Sequence, residues 1–129
     1  LSPVIQEFKK EMTSNNLVLI NSDFLEIDLR KLAYTKLATF LPYSISQEFI
    51  EKIAGEKKDM VLVVQKEFAE KLASSPGFSN YTAVSSLCQS YFTVRVVRAI
   101  GRGSFFPAPP CESAIVKLTP NNKEKDENY

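Results

Sequence analysis

Few stretches of this chain punctuate its structure as sharply as Phe40-Leu41-Pro42-Tyr43-Ser44-Ile45-Ser46. Pro42 offers no N–H to a strand ladder and fixes its own φ, so it ends the weak strand Leu37-Ala38-Thr39-Phe40. Ser44 and Gln47 stand at the spacing of a helix capping box. Ile45, Phe49, Ile50 and Ile53 then recur at helical intervals, and Gly55 suits a helix C-cap. A strand end, a sharp turn and a helix start are compressed into one short segment. In α/β proteins such junctions, at the carboxyl ends of strands, are where ligands sit.

The rest of the pattern repeats strand and helix in alternation. Val4, Ile5, Phe8 and Met12 form one stripe of a short amphipathic helix, which Asn15-Asn16 breaks. Leu17-Val18-Leu19-Ile20 is an apolar run of strand length, expected as a buried parallel strand, with Asn21-Ser22-Asp23 at its carboxyl end. Met60 to Val64 is a third apolar strand. Gln65 to Ser74 reads as a charged helix with Phe68 and Leu72 inward, stopped by Ser75-Pro76-Gly77, and Thr82 to Gln89 as a short helix. Phe92, Val94 and Val96 alternate with Tyr91, Thr93, Arg95 and Val97, and Ser113 to Leu118 alternates again. About fifteen residues join these last two strands, too many for a tight hairpin. The expectation is an α/β sheet, mostly parallel, with an antiparallel strand pair at its C-terminal end. Residues 1–120 form one unit, and the polar residues 121–129 are expected to be a disordered tail.

Composition narrows the chemistry. The chain has 129 residues, 44% hydrophobic and 24% charged, ordinary for a globular domain. Its net charge of +1 gives no global signature of nucleic-acid binding. It contains no histidine, which removes Ser-His-Asp and Cys-His catalysis and His-ligated zinc. Cys88 and Cys111 have no metal-ligand spacing, so no metal is expected, and they are read as reduced thiols of a cytoplasmic protein. The apolar runs fall far short of the ~20 residues of a membrane span. Gly103-Ser104-Phe105-Phe106-Pro107-Ala108-Pro109 sets an aromatic pair in a proline-stiffened loop. An aromatic from this loop and Tyr43 from the other could clamp a flat ligand such as a nucleobase.

These stretches resemble the rRNA adenine dimethyltransferase family, S-adenosylmethionine-dependent enzymes that dimethylate adenine N6 in small-subunit rRNA. The family's Asn-Leu-Pro-Tyr motif, usually followed by Asn/Gln-Ile-Ser, is matched by Leu41, Pro42, Tyr43, Ile45 and Ser46, with Phe40 in the place of the Asn. Its late motif, Phe-x-Pro-x-Pro-x-Val-(Asp/Glu)-Ser, is matched by Phe105, Pro107, Pro109, Glu112 and Ser113, with Cys111 in the place of the Val. Val63 to Leu72, Ser75-Pro76-Gly77, Asn80-Tyr81, Ser85 and Gln89 are similar to the intervening family segments. The resemblance implies a Rossmann-like class I methyltransferase sheet, present in part. The four glycines fall at 55, 77, 101 and 103, so the family's early glycine-rich cofactor turn has no counterpart here, and neither has its C-terminal helical domain. The chain therefore resembles a truncated member whose cofactor site is incomplete.

What the resemblance implies can be set beside the plainer role of each residue. The Leu41 carbonyl would accept a hydrogen bond from the adenine amino group, while Phe40 brings no side-chain acceptor to the base or the cofactor. Tyr43 would stack on the adenine, or it packs against the following helix. Phe105 would be the second stacking aromatic, or a hydrophobic plug. Asp23 would accept a hydrogen bond from the cofactor's adenine, or it caps a turn; Phe24 would flank that ring, or belongs to the core. Glu67 and Glu70 with Lys66 and Lys71 make a solvated helix face. Arg95, Arg98, Arg102, Lys117 and Lys123 could reach phosphates, or are ordinary surface.

Three readings follow: a methyltransferase acting on small-subunit rRNA or a pre-ribosomal particle, a non-catalytic RNA-binding module derived from that family, and a fragment that associates through an open sheet edge.

Overall fold

The computed structural model describes residues 18, 20–104, 106–108 and 111–121. Four strands, β1 (Lys36–Phe40), β2 (Asp59–Gln65), β3 (Phe92–Ile100) and β4 (Ser113–Pro120), form one sheet in the order β1-β2-β4-β3. β1 and β2 run parallel, and β4 pairs antiparallel with both β2 and β3. The register of β3 on β4 shifts between Val96 and Arg98. Among the described residues three α-helices, α1 (Ser46–Ile53), α2 (Lys66–Leu72) and α3 (Ala83–Tyr91), join the sheet in an α/β architecture.

The period-2 alternation of β2 sorts its side chains between two faces. Met60, Leu62 and Val64 are fully buried, with Ala114, Val116 and Leu118 of β4 beside them. Phe49, Ile50 and Ile53 of α1, Ala69 and Leu72 of α2, and Val84 and Cys88 of α3 close over this face. On the opposite face the register sets Ala38, Val61, Lys117 and Arg95 in one row across the sheet. Val61 there is 40% exposed.

Turn chemistry fixes the connections. Gly55 follows α1 with φ of 88°, a left-handed conformation that closes the helix at little steric cost. Thr82 and Ser85 form a reciprocal capping box on α3. The buried Ser85 hydroxyl also donates to the Lys71 carbonyl at 2.6 Å, joining the start of α3 to the end of α2. Asn121, just past β4, is anchored by its N–H on the Tyr91 carbonyl and its amide on the Gln89 carbonyl.

Two local expectations are corrected. The Ser44–Gln47 capping box does not form: a 3-10 turn over Tyr43–Ile45 precedes α1, whose N-cap residue Ile45 has no side-chain cap. Pro42 starts that turn, and the buried Ser46 hydroxyl donates instead to the Tyr43 carbonyl at 3.2 Å. Val18 and Ile20 lie in no strand and are 80% and 53% exposed. No described strand runs beside them, and a strand needs a paired neighbour. Leu17, Leu19 and the expected helix from Val4 to Met12 lie outside the described residues, as do residues 122–129.

Candidate functional site

The carboxyl end of β1 is held from below. Leu41 is 1% exposed, and its N–H donates to the Val63 carbonyl at 2.9 Å, carrying the parallel ladder one residue past the strand. Pro42, at φ −60° and ψ 135°, then turns the chain, and the Ile45 N–H donates back to its carbonyl at 3.2 Å. Among the described residues nothing donates to the Leu41 carbonyl. Phe40 immediately before it is 53% exposed.

Tyr43 is half-buried at the start of the 3-10 turn. Its hydroxyl lies 2.7 Å from Ser113 Oγ, a hydrogen bond in which either oxygen can be the donor. Ser113 is the fully buried first residue of β4, in register with Gln65 at the end of β2 and Ile100 at the end of β3. Because β2 lies between β1 and β4, this one bond bridges the end of the central strand. It also joins the two segments that the sequence singled out, which are separated by 70 positions.

The residues before Ser113 are latched to the same place. The Lys66 N–H donates to the Glu112 carbonyl at 2.9 Å, and Lys66 Nζ lies 3.3 Å from Glu112 Oε2. Both side chains are about half exposed, so the ion pair adds little energy and mainly sets direction. Gln65 Nε2 donates to Cys111 Sγ at 3.1 Å. Lys66 is thus more than part of a solvated helix face. An open depression of about 440 Å³ lies here, lined by Gln65, Lys66, Glu67, Glu70, Cys111 and Glu112. Three carboxylates against one ammonium make it a poor place for phosphate.

Asp23 caps a 3-10 turn over Phe24–Glu26, its Oδ1 accepting from the Leu25 N–H at 3.0 Å. The Phe24 ring stacks on Phe49 of α1, centroids 5.1 Å apart. Lys52, also on α1, places Nζ 5.8 Å from the Phe24 ring centre and donates to the Leu25 carbonyl at 3.0 Å. The Asp23 segment and the Tyr43 turn therefore both rest on α1. Phe105 lies outside the described residues, while Phe106 beside it is fully exposed.

Arg95 and Lys117 are direct cross-strand neighbours on the open sheet face. Among the described residues neither has a carboxylate at ion-pair distance. No described group of three or more His, Cys, Asp or Glu side chains could hold a metal ion, and no described helix is long and apolar enough to cross a membrane. Away from the site, burial pushes the Cys88 thiol up to about 12. Burial and the Glu56 carboxylate, which accepts the Tyr34 hydroxyl at 2.5 Å, raise that phenol well above its usual range.

The Tyr43–Ser113 bond is the feature that reading the sequence missed. Both residues stood in recognised motifs, but only the strand order brings them together.

Comparison with known proteins gives this geometry a context. Residues 1–129 match the family described as ribosomal RNA adenine dimethylase. The chain is 37% identical over 114 residues to a probable ribosomal RNA small subunit methyltransferase A from Natronomonas pharaonis, covering 88% of this chain and 41% of that protein. A protein of the same description from Thermococcus sibiricus is 35% identical over 127 residues, covering 98% of this chain and 45% of the relative. The crystal structure of a dimethyladenosine transferase from Plasmodium falciparum superimposes with a TM-score of 0.81 at 30% identity, over 97% of this chain and 46% of that one. The chain thus spans somewhat less than half the length of the relatives it matches.

Proposed function

This chain belongs to the ribosomal RNA adenine dimethylase family, and we propose that it serves in the transfer of methyl groups from S-adenosylmethionine to the N6 atoms of adenines in small-subunit rRNA. The observation that carries this reading is the bridge from Tyr43 to Ser113. It fixes an aromatic ring at the carboxyl end of a parallel strand, beside a backbone carbonyl that no described group occupies. The reading assigns the work to the cytoplasm and the partner to rRNA or a pre-ribosomal particle.

The chemistry asks little acid–base help of the protein. The N6 lone pair is delocalised into the adenine ring, so the nitrogen is a poor nucleophile until it pyramidalises. The Leu41 carbonyl would accept one N–H of the amino group and favour that geometry. Its N–H bond to Val63 and its buried side chain hold this acceptor still, which is how preorganised groups act in catalysis. The Tyr43 ring would hold the base by stacking, worth about 1–3 kcal/mol. A base must leave its helix to reach such a slot. Phe40 adds apolar area but no second acceptor.

The cofactor would supply an electrophilic methyl group. Asp23 is suited to its adenine amino group: the carboxylate is exposed, and one hydrogen bond to the Leu25 N–H leaves lone pairs to spare. Phe24, half-buried and held on Phe49, would flank the ring.

The exposed Phe40 favours a second reading, RNA binding without methyl transfer, because it offers a stacking surface where the family has an acceptor. Calorimetric titration of S-adenosylmethionine into the purified chain separates the two. The first reading expects saturable heat that Asp23→Ala weakens. Absence of binding, with RNA affinity intact, would replace it with the second.

A further inference from the structure

We infer that Ser113 is a positioning residue for Tyr43, its hydroxyl holding the ring across the end of β2 so that a base can meet the ring's face. The inference rests on the reading of Tyr43 as the stacking platform and adds to it the group that makes the platform rigid.

A tyrosine on a surface turn has two free torsions and samples several rotamers. Here the far end of the ring is bound, 2.7 Å from Ser113 Oγ. The anchor is itself immobile: Ser113 is 0% exposed and pairs with strands on both sides. Its two predecessors are latched by the Lys66 N–H on the Glu112 carbonyl and by Gln65 on Cys111. A ring tied at its backbone and at its hydroxyl keeps only its faces for a ligand. The same bond holds the hydroxyl end of the ring at Ser113, so the ring's faces are what Tyr43 offers the base.

The test uses a short single-stranded RNA carrying 2-aminopurine, whose fluorescence falls when the base stacks on an aromatic ring. Affinity and the fluorescence of the saturated complex are measured for the full chain and for Ser113→Ala, Tyr43→Phe, the double variant and Tyr43→Ala, with thermal unfolding in parallel. Ser113→Ala and Tyr43→Phe remove one hydrogen bond from its two ends, and each should weaken binding about fivefold, the worth of a typical single bond. Each should also leave the saturated complex brighter, a signature that a mere loss of stability would not give. The double variant should be no worse than either single one. Tyr43→Phe keeps the inference testable if Ser113→Ala fails to fold. If Tyr43→Ala abolishes quenching while Ser113→Ala and Tyr43→Phe quench like the parent, the platform stands and the positioning role is overturned. If Tyr43→Ala also quenches like the parent, the platform reading fails and the inference falls with it.

Discussion

Leu41 and Phe40 are chain neighbours in opposite media, one 1% and the other 53% exposed. The buried one holds its stretch of backbone in place; the exposed one keeps about half of its surface in solvent. Cys88 shows how burial acts on a single group elsewhere. Its thiol sits among α3, α1 and the sheet, and burial raises its ionisation to about 12. In the unfolded chain the thiol ionises near 8.5, so above that pH the unfolded state binds fewer protons than the folded state. Stability must then fall as pH rises from about 8.5 toward 12. Tyr34, also raised, joins the fall above about 10, where an unperturbed phenol begins to ionise. Urea midpoints measured between pH 8 and 10 should decline in the parent chain and flatten in Cys88→Ala; an equal slope in both would contradict this.

α1 carries the most consequence per residue among the helices. Phe49, Ile50 and Ile53 are buried, and the Phe24 stack, the Lys52 bond to Leu25 and the Tyr43 turn all depend on it. Ile50→Ala should cost about 2–5 kcal/mol, read as a lowered urea midpoint at unchanged slope. It should also loosen the Asp23 segment, seen as faster amide exchange there. This helix was legible in the sequence from its apolar spacing, and β2 from five apolar residues in a row, although only Met60, Leu62 and Val64 of them are fully buried. The start of α1 was not: capping-box spacing is local, whereas the 3-10 turn follows from how Pro42 leaves the ladder. Val18 and Ile20 misled for the opposite reason, since apolar composition reports an appetite for burial and a strand also needs a neighbour. The Tyr43–Ser113 bond depends on β4 inserting between β2 and β3, a fact about order that no window of sequence contains.

Across the molecule, helices close one face of the sheet while the other keeps Val61 exposed beside Lys117 and Arg95. Exposed apolar side chains on a sheet face favour association. We propose weak self-association through this side. Sedimentation should depend on concentration, and Val61→Lys should shift the chain toward monomer; a concentration-independent monomer in the parent would rule it out. The segment from Phe40 to Tyr43 is the place where we propose that adenine meets its methyl donor. Formation of dimethyladenosine in small-subunit rRNA, with S-adenosylmethionine as donor, tests this most directly when the parent chain is compared with Phe40→Asn and Tyr43→Ala. Restoring an acceptor beside Leu41 should raise the rate by about 10²–10³, the usual worth of one preorganised hydrogen-bonding group, and Tyr43→Ala should abolish transfer in either background. A Phe40→Asn chain no faster than its parent, or a Tyr43→Ala chain as fast, would contradict it.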